Sequence, residues 1–243
     1  EIKECDWSSD VCSSDLGSAN FAVVPVENST EGVIARTLDL LLSTGLVICG
    51  EIELRVHQNL MNRSGSRYGV KRVYSHPQSL AQCHGWLNAN LPGAERMPLS
   101  SNAEAARRAS QEADCAAIGP AIAAERYGLQ IVDANIEDDS RNRTLFLVLG
   151  NRLPGASGRD RTSLVLSAHN RPGAVHDLIA AFAANGVSMS RIESRPARTG
   201  QWEYVFYIDI VGHQDDAPVA KALAEVAQKA PFMKIFGSYP AVF

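Results

Sequence analysis

The sequence predicts an α/β protein made of two parts. Residues 21–149 alternate strand-forming runs with amphipathic segments of helical period, a pattern typical of an α/β sheet. After a linker over residues 151–158, the pattern resets, and residues 163–238 read as strand, helix, strand, strand, helix, strand. That order is typical of the ferredoxin-like split unit, and about 80 residues are enough for a separate core.

Composition and charge restrict the class of protein. The 243 residues are 45% hydrophobic and 21% charged, as expected of a soluble globular protein with a substantial core. The net charge is -4 and there is no basic run, which argues against a nucleic-acid partner. No apolar run approaches the roughly 20 residues that span a bilayer, and the N-terminus lacks a signal-peptide pattern, so we expect no membrane partner.

The cysteines and histidines indicate a reduced compartment and no metal site. Five cysteines without paired close spacing fit free thiols in a cytoplasm better than a disulfide framework; they are Cys5, Cys12, Cys49, Cys83 and Cys115. The six histidines are scattered, with no ligand spacing beside them. We therefore expect a cytoplasmic protein that binds no metal.

Residues 1–16 do not fit the rest of the chain. They show neither helical nor strand periodicity and contain two of the cysteines, Cys5 and Cys12. The segment is similar to translated adapter or vector sequence, and we interpret it as a non-native leader. A disordered natural tail is the alternative.

A strand over residues 21–26 runs directly into the polar stretch Asn28-Ser29-Thr30-Glu31. Apolar residues then recur with helical spacing, at Ile34, Leu38, Leu41 and Leu42. Asn28 and Glu31 have the spacing of a reciprocal N-terminal cap, so the pattern predicts a helix that begins here. A strand end that leads into a helix N-terminus suits an anionic ligand, although an ordinary capped helix gives the same pattern.

The elements that follow are each supported by local sequence. Residues 46–57 read as a long strand, 62–66 as a loop and 70–74 as a short strand. A helix opens at Pro77 and presents Leu80, Cys83 and Leu87 on one face. Residues 97–99 are a candidate strand, and Ser101 with Glu104 forms a capping box before an Ala-rich helix. Strands over 115–118 and 129–132 flank a helix that starts at residues 119–120.

Thr144 lies where a polar loop enters a strand. Residues 133–143 are polar without periodicity, and residues 144–149 form a strongly strand-forming run. Functional side chains often occupy such positions in α/β folds. An ordinary strand threonine is the alternative.

The second half contains strands over residues 163–168, 187–195, 204–211 and 234–238. Its first helix, over residues 172–185, presents Val175, Leu178, Ile179 and Phe182 inward and ends at the cap Gly186. Its second helix spans residues 215–230.

Six sequence blocks, taken in order, resemble prephenate dehydratase, the family that makes phenylpyruvate for phenylalanine synthesis. The blocks are residues 25–32 with 37–41, 75–83, 116–119 with 127–129, 142–146, 172–175 and 193–196. The resemblance covers residues 17–243. It implies a two-lobed, periplasmic-binding-protein-like catalytic domain over residues 17–153, incomplete at its N-terminus, and an ACT regulatory domain over residues 162–243.

The resemblance also implies roles for individual residues. Thr144 would donate a hydrogen bond to the departing hydroxyl of prephenate, with no metal or cofactor. The substrate-binding residues would be Asn28, Ser29, Thr30, Gln78, Ser79 and Phe146. Phenylalanine would bind as an effector at Gly173, Ala174, Val175, Glu193, Ser194, Arg195 and Pro196, between the ACT domains of a homodimer or homotetramer.

Two departures from the family pattern leave alternatives open. Leu145 stands where the family has an arginine after the catalytic threonine, and a leucine cannot bind a carboxylate. The family's opening Gly-Pro-x-Gly-Thr-Phe loop is absent. A non-catalytic phenylalanine-binding module or inactive fragment, and an arogenate dehydratase, are therefore the alternatives. A preceding chorismate mutase domain would also fit, since the family includes such fusions.

Overall fold

A computed structural model describes residues 20–169, 171–197 and 204–242 of the chain. The predicted leader, residues 1–16, lies outside the described residues. The chain divides into two compact units, the first ending at Leu54 and resuming at Leu145, and the second spanning Arg55–Thr144. The first unit thus contains both the opening strands and the whole second half of the chain.

The described part of residues 20–150 contains nine strands and five helices. The strands are β1 (Ala22–Asn28), β2 (Gly32–Val33), β3 (Val47–Arg55), β4 (Asn59–Asn62), β5 (Arg72–Ser75), β6 (Glu95–Pro98), β7 (Cys115–Gly119), β8 (Gln130–Asp133) and β9 (Arg143–Gly150). The helices are α1 (Ala35–Ser43), α2 (Pro77–Gln82), α3 (His84–Asn90), α4 (Asn102–Gln111) and α5 (Ala121–Tyr127). The rest of the described chain forms β10 (Asp160–Ser167), α6 (Ala174–Ala184), β11 (Met189–Pro196), β12 (Tyr204–Val211), α7 (Ala217–Lys229) and β13 (Phe232–Pro240).

The first unit opens with a hairpin where the sequence predicted a helix start, so that prediction is wrong. β1 pairs antiparallel with β2, with Asn28 opposite Gly32, and α1 begins only at Ala35. Gly32 adopts a φ of 83°, which favours a turn over a helix at this point. The hairpin lies at the edge of a sheet of order β2-β1-β9-β3.

The second unit is built on a five-stranded sheet of order β6-β5-β7-β4-β8. The inner strands are largely buried, and core clusters around Tyr74 and Ile118 cover its two faces. The sequence analysis predicted one strand over residues 46–57 and did not predict β4. In the structure β3 ends at Arg55, residues 56–58 form neither helix nor strand, and the fully buried β4 follows. The predicted cap of α4 is confirmed, since the Ser101 side chain accepts a hydrogen bond from the Glu104 N–H at 3.1 Å.

The second half of the chain has the predicted ferredoxin-like topology. Its sheet has the order β11-β12-β10-β13, with neighbours antiparallel, and α6 and α7 lie on one face. Because side chains alternate along a strand, Leu164 and Ile208 pack under the helices whereas Val165 and Tyr207 lie on the other face. That second face packs on residues of β1, α1, β3 and β9 in one core cluster.

Gly237 allows the closest backbone approach inside this shared core. A Cβ atom at position 237 would lie 2.1 Å from the Ile48 carbonyl oxygen. Gly237 follows a register irregularity in the pairing of β10 with β13, where Ser163 faces Gly237 and Leu164 faces Ile235. Glycine at this position therefore lets β13 contact β3 directly.

Gly237→Ala should destabilise the protein by about 2–3 kcal/mol, because backbone atoms would have to move to admit the methyl group. Chemical denaturation of both proteins measures the difference. Gly45→Ala is the matched control, since nothing lies within 4 Å of a Cβ built there, and its effect should stay within about 0.5 kcal/mol. Equal unfolding midpoints for the two variants would contradict the close packing.

Candidate functional site

Asn28 holds the turn between β1 and β2. Its side-chain oxygen accepts hydrogen bonds from the Thr30 N–H at 3.0 Å, the Thr30 hydroxyl at 2.6 Å and the Glu31 N–H at 3.2 Å. The Asn28 side chain is buried, whereas Ser29 and Thr30 are exposed. Asn28 therefore caps a turn rather than a helix, and it presents the two hydroxyl residues to solvent.

The start of α2 is fixed by a side chain from another helix. The Asn102 side-chain oxygen accepts hydrogen bonds from the Ser75 hydroxyl at 2.9 Å and from the His76 N–H at 3.1 Å. The Asn102 amide group donates to the Ser79 hydroxyl at 3.0 Å. Of the two predicted α2 residues, Ser79 is thus buried in this network, whereas Gln78 is exposed.

Sequence reasoning missed the polar residues behind Ser79. The Gln58 amide group donates to the Ser79 hydroxyl at 3.2 Å and to the Gln82 side-chain oxygen at 3.1 Å. The Gln58 Oε1 atom is buried and has no hydrogen-bond partner among the described residues, which suits a water or ligand donor. Residues 58, 79 and 102 lie far apart in sequence, so no spacing could have revealed this cluster.

A histidine is held by a buried carboxylate in the same unit. His57 Nδ1 lies 2.8 Å from Glu137 Oε1, and the other carboxylate oxygen accepts the Gln58 N–H at 2.8 Å. The His57 side chain is 43% exposed and the Glu137 side chain 1% exposed. When Nδ1 carries the proton, this pairing leaves Nε2 of the neutral ring as an acceptor.

Thr144 is the second residue of β9, and the predicted junction between loop and strand is confirmed. Thr144 and Phe146 are half-buried and alternate with Leu145 along the strand. Leu145 packs against the core cluster of the first unit. A side chain at position 145 thus faces the core, opposite to the face that carries Thr144.

The predicted effector residues lie at the start of α6 and on the edge strand β11. Gly173 precedes α6 with a φ of 77°, Ala174 is buried and Val175 is half-buried. On β11, Glu193 and Arg195 are half-buried, whereas Ser194 and Pro196 are exposed. The strand therefore divides this motif between its two faces, and the Arg195 face is the one that packs toward α1.

The described residues contain no thiolate nucleophile and no metal cluster. Burial, together with the nearby carboxylates of Asp138 and Glu137, raises the pKa of the Cys83 thiol to about 12, so Cys83 is neutral at physiological pH. No group of three or more histidine, cysteine or acidic side chains in the described ranges could hold a metal ion. None of the described helices is long and apolar enough to cross a membrane.

Comparison with known proteins gives matches over almost the whole chain. The family model described as prephenate dehydratase matches residues 1–153, and the model described as ACT domain matches residues 162–228. A bifunctional chorismate mutase/prephenate dehydratase of Neisseria gonorrhoeae is 51% identical over 225 residues. The aligned part is 91% of this chain and 62% of that relative, so the chain spans about three-fifths of the relative's length.

Two solved structures are similar across both halves of the chain. The prephenate dehydratase of Arthrobacter aurescens, solved in complex with L-Phe, has a TM-score of 0.82 and 37% identity, covering 93% of this chain and 76% of that one. GqqA, described as a novel type of quorum quenching acylase, has a TM-score of 0.83 and 31% identity, covering 93% and 84%. The described fold therefore occurs in proteins with two different stated activities.

Asn102→Ala should lower the free energy of unfolding by about 2–3 kcal/mol, because it removes the acceptor of the His76 N–H and one of the two partners of the buried Ser79 hydroxyl. Denaturant unfolding of purified protein measures this loss. The control is Asn88→Ala, which removes an exposed asparagine and should change stability by no more than about 0.5 kcal/mol. A loss no larger than the control's would show that the α2 network does not hold this unit together.

Proposed function

Because this chain belongs to the prephenate dehydratase family and contains an ACT domain, we propose that it converts prephenate to phenylpyruvate. The observation that carries the proposal is the 51% identity to the Neisseria gonorrhoeae enzyme over 91% of the chain. The comparison favours an enzyme over a non-catalytic phenylalanine-binding module or inactive fragment, since that relative is named for its activity. Arogenate, with an amino group in place of the keto group, is the competing substrate.

In this reaction the protein mainly has to bind the dianion and donate a hydrogen bond to the leaving group. In prephenate, the bond to the ring carboxylate breaks to release CO2, and its electron pair forms the aromatic ring as the C–O bond breaks. The hydroxide that leaves becomes water when it gains a proton. A hydroxyl donor aimed at the departing oxygen stabilises the developing charge, and we propose that Thr144 is this donor.

The two carboxylates of prephenate need polar partners. The exposed residues Ser29 and Gln78 carry hydrogen-bond donors suited to a carboxylate, whereas the Thr30 hydroxyl would first have to leave Asn28, to which it donates. Ser79 is occupied by Asn102 and Gln58, which supports an indirect role in fixing α2. Phe146 alternates with Leu145 and so shares the Thr144 face, where its ring could pack against the substrate ring.

The packing of Leu145 bears on the missing family arginine. Its side chain contacts the core cluster of the first unit, so a guanidinium placed there would have to leave the core to reach an anion. In this chain, we infer that position 145 stabilises the fold and that the anion contacts come from other residues.

We also propose the regulation, the oligomeric state and the cellular location from the family resemblance. Phenylalanine would bind at the start of α6 and along β11, as the L-Phe complex of the Arthrobacter aurescens relative supports. Because β11 is the edge strand of its sheet, it is suited to pair with a second subunit in a homodimer or homotetramer. The free thiols of Cys49, Cys83 and Cys115 fit a cytoplasmic enzyme.

A second candidate function is hydrolysis of an N-acyl bond, which the likeness to GqqA favours. His57, oriented by Glu137, is the described group that could accept a proton from an attacking water. Release of free amine from an N-acyl substrate would support this activity. Amine release without phenylpyruvate formation would make it the function of the chain instead.

Thr144→Val should lower kcat for prephenate by about 10²–10³-fold, because the variant keeps the shape of the side chain and loses the donor. Thr144→Ser keeps the hydroxyl and should stay within about tenfold of the unmodified chain. Phenylpyruvate absorbance follows both, with KM expected to change little. If Val at this position is as active as Ser, Thr144 is not the donor.

A further inference from the structure

Arg195, a predicted effector residue on β11, forms an ion pair with helix α1. Its Nε donates to Asp39 Oδ1 at 3.2 Å and its Nη2 to Asp39 Oδ2 at 3.4 Å. The Arg195 side chain is 16% exposed and the Asp39 side chain 28% exposed. This two-point contact is partly shielded from water, and both of its partners lie within the first compact unit.

Arg191, four residues earlier on the same face of β11, contacts β1 in a similar way. Its Nη1 donates to Glu27 Oε2 at 3.1 Å, and its Nε lies 3.3 Å from Asp209 Oδ2. Asp209 in turn accepts a hydrogen bond from the buried Ser163 hydroxyl at 2.5 Å. Glu27 directly precedes Asn28, so Arg191 is linked to the turn that displays Ser29 and Thr30.

Other side chains from the regulatory half hold α1 in place. The Tyr207 hydroxyl donates to the Leu38 carbonyl at 2.9 Å, and burial raises the pKa of Tyr207 to about 12, so it remains a neutral donor. Lys234 Nζ donates to the carbonyls of Leu41, Leu42 and Thr44 at 2.8–3.1 Å, at the end of the helix. The position of α1 therefore depends on the β11-β12-β10-β13 sheet.

We propose that Arg195 and Arg191 are positioning residues that transmit phenylalanine binding from β11 to α1 and to the Asn28 turn. The proposal rests on the function proposed above and deepens its regulation. Arg195 then acts through Asp39 and is not itself a ligand of phenylalanine. The motif's two exposed members, Ser194 and Pro196, are left to form the effector contact on the opposite face of β11.

The arrangement provides a direct physical route between two sites. An effector that shifts or orders β11 acts on peptide groups adjacent to Arg195, since residues 194–196 are consecutive. Any movement of β11 changes the distances in the Arg195–Asp39 and Arg191–Glu27 ion pairs. The resulting change in interaction energy acts on α1 and β1, which carry the two carboxylates. Lys234 and Tyr207, on β13 and β12, bind backbone carbonyls of the same helix, so α1 has contacts with three strands of this sheet.

The test compares Asp39→Asn with the unmodified chain by three measurements. They are phenylalanine affinity by calorimetry, the effect of phenylalanine on prephenate turnover, and hydrogen exchange of the α1 amides with and without phenylalanine. We expect phenylalanine to bind Asp39→Asn within about threefold of its normal affinity, while its effect on turnover falls at least about fivefold. Its effect on α1 exchange should fall in parallel.

Two further variants keep the result interpretable. Glu125→Gln neutralises an exposed carboxylate of α5 and should preserve normal coupling. The exchanged pair Asp39→Lys with Arg195→Glu restores an ion pair of reversed polarity and should recover part of the coupling, which a merely destabilising change would not.

Several outcomes would overturn the proposal. Normal coupling in Asp39→Asn would show that the ion pair transmits nothing. Loss of phenylalanine binding in Arg195→Gln, with coupling intact in Asp39→Asn, would make Arg195 an effector ligand. Absence of any phenylalanine effect on α1 exchange in the unmodified chain would also overturn it, while turnover of prephenate by the same sample would leave the dehydratase assignment standing.

Discussion

The packing of the β11-β12-β10-β13 sheet against the opening strands holds the first unit together. A ferredoxin-like sheet has two faces, and here α6 and α7 cover only one of them. The other face carries Val165, Tyr207 and Phe236, which would be exposed without β1, α1 and β9 packed on it. Burial of this apolar surface joins two halves that sequence alone describes as separate domains.

That shared core places the Asn28 turn and strand β11 in the same compact unit. The Asn28 turn continues β1, and β11 belongs to the sheet that packs on the same core. Ion pairs lie at the edge of this core, where Arg191 contacts Glu27 and Arg195 contacts Asp39. A partly buried charge needs an oppositely charged partner, so these ion pairs fix the positions of Arg191 and Arg195 relative to β1 and α1. A shift of β11 would therefore be felt at both elements.

Sequence reasoning succeeded where the pattern was local and failed where distant residues decided the outcome. The βαββαβ order, the Ser101 cap and the position of Thr144 all follow from short-range periodicity and turn chemistry, and each agrees with the structure. The start of α1 was misjudged because Asn28 and Glu31 satisfy a hairpin turn with the same spacing that a helix cap uses. The Asn102 network and the Arg195–Asp39 pair join residues more than 20 positions apart, and no single-sequence pattern encodes such contacts.

We propose that this chain is a phenylalanine-controlled prephenate dehydratase, and one assay can decide the matter. Purified protein is given prephenate, or arogenate in a parallel sample, and the aromatic product is measured with and without phenylalanine. We expect phenylpyruvate to form from prephenate at a rate that phenylalanine changes. Tight phenylalanine binding with no product from prephenate would contradict it and identify a regulatory module without catalysis.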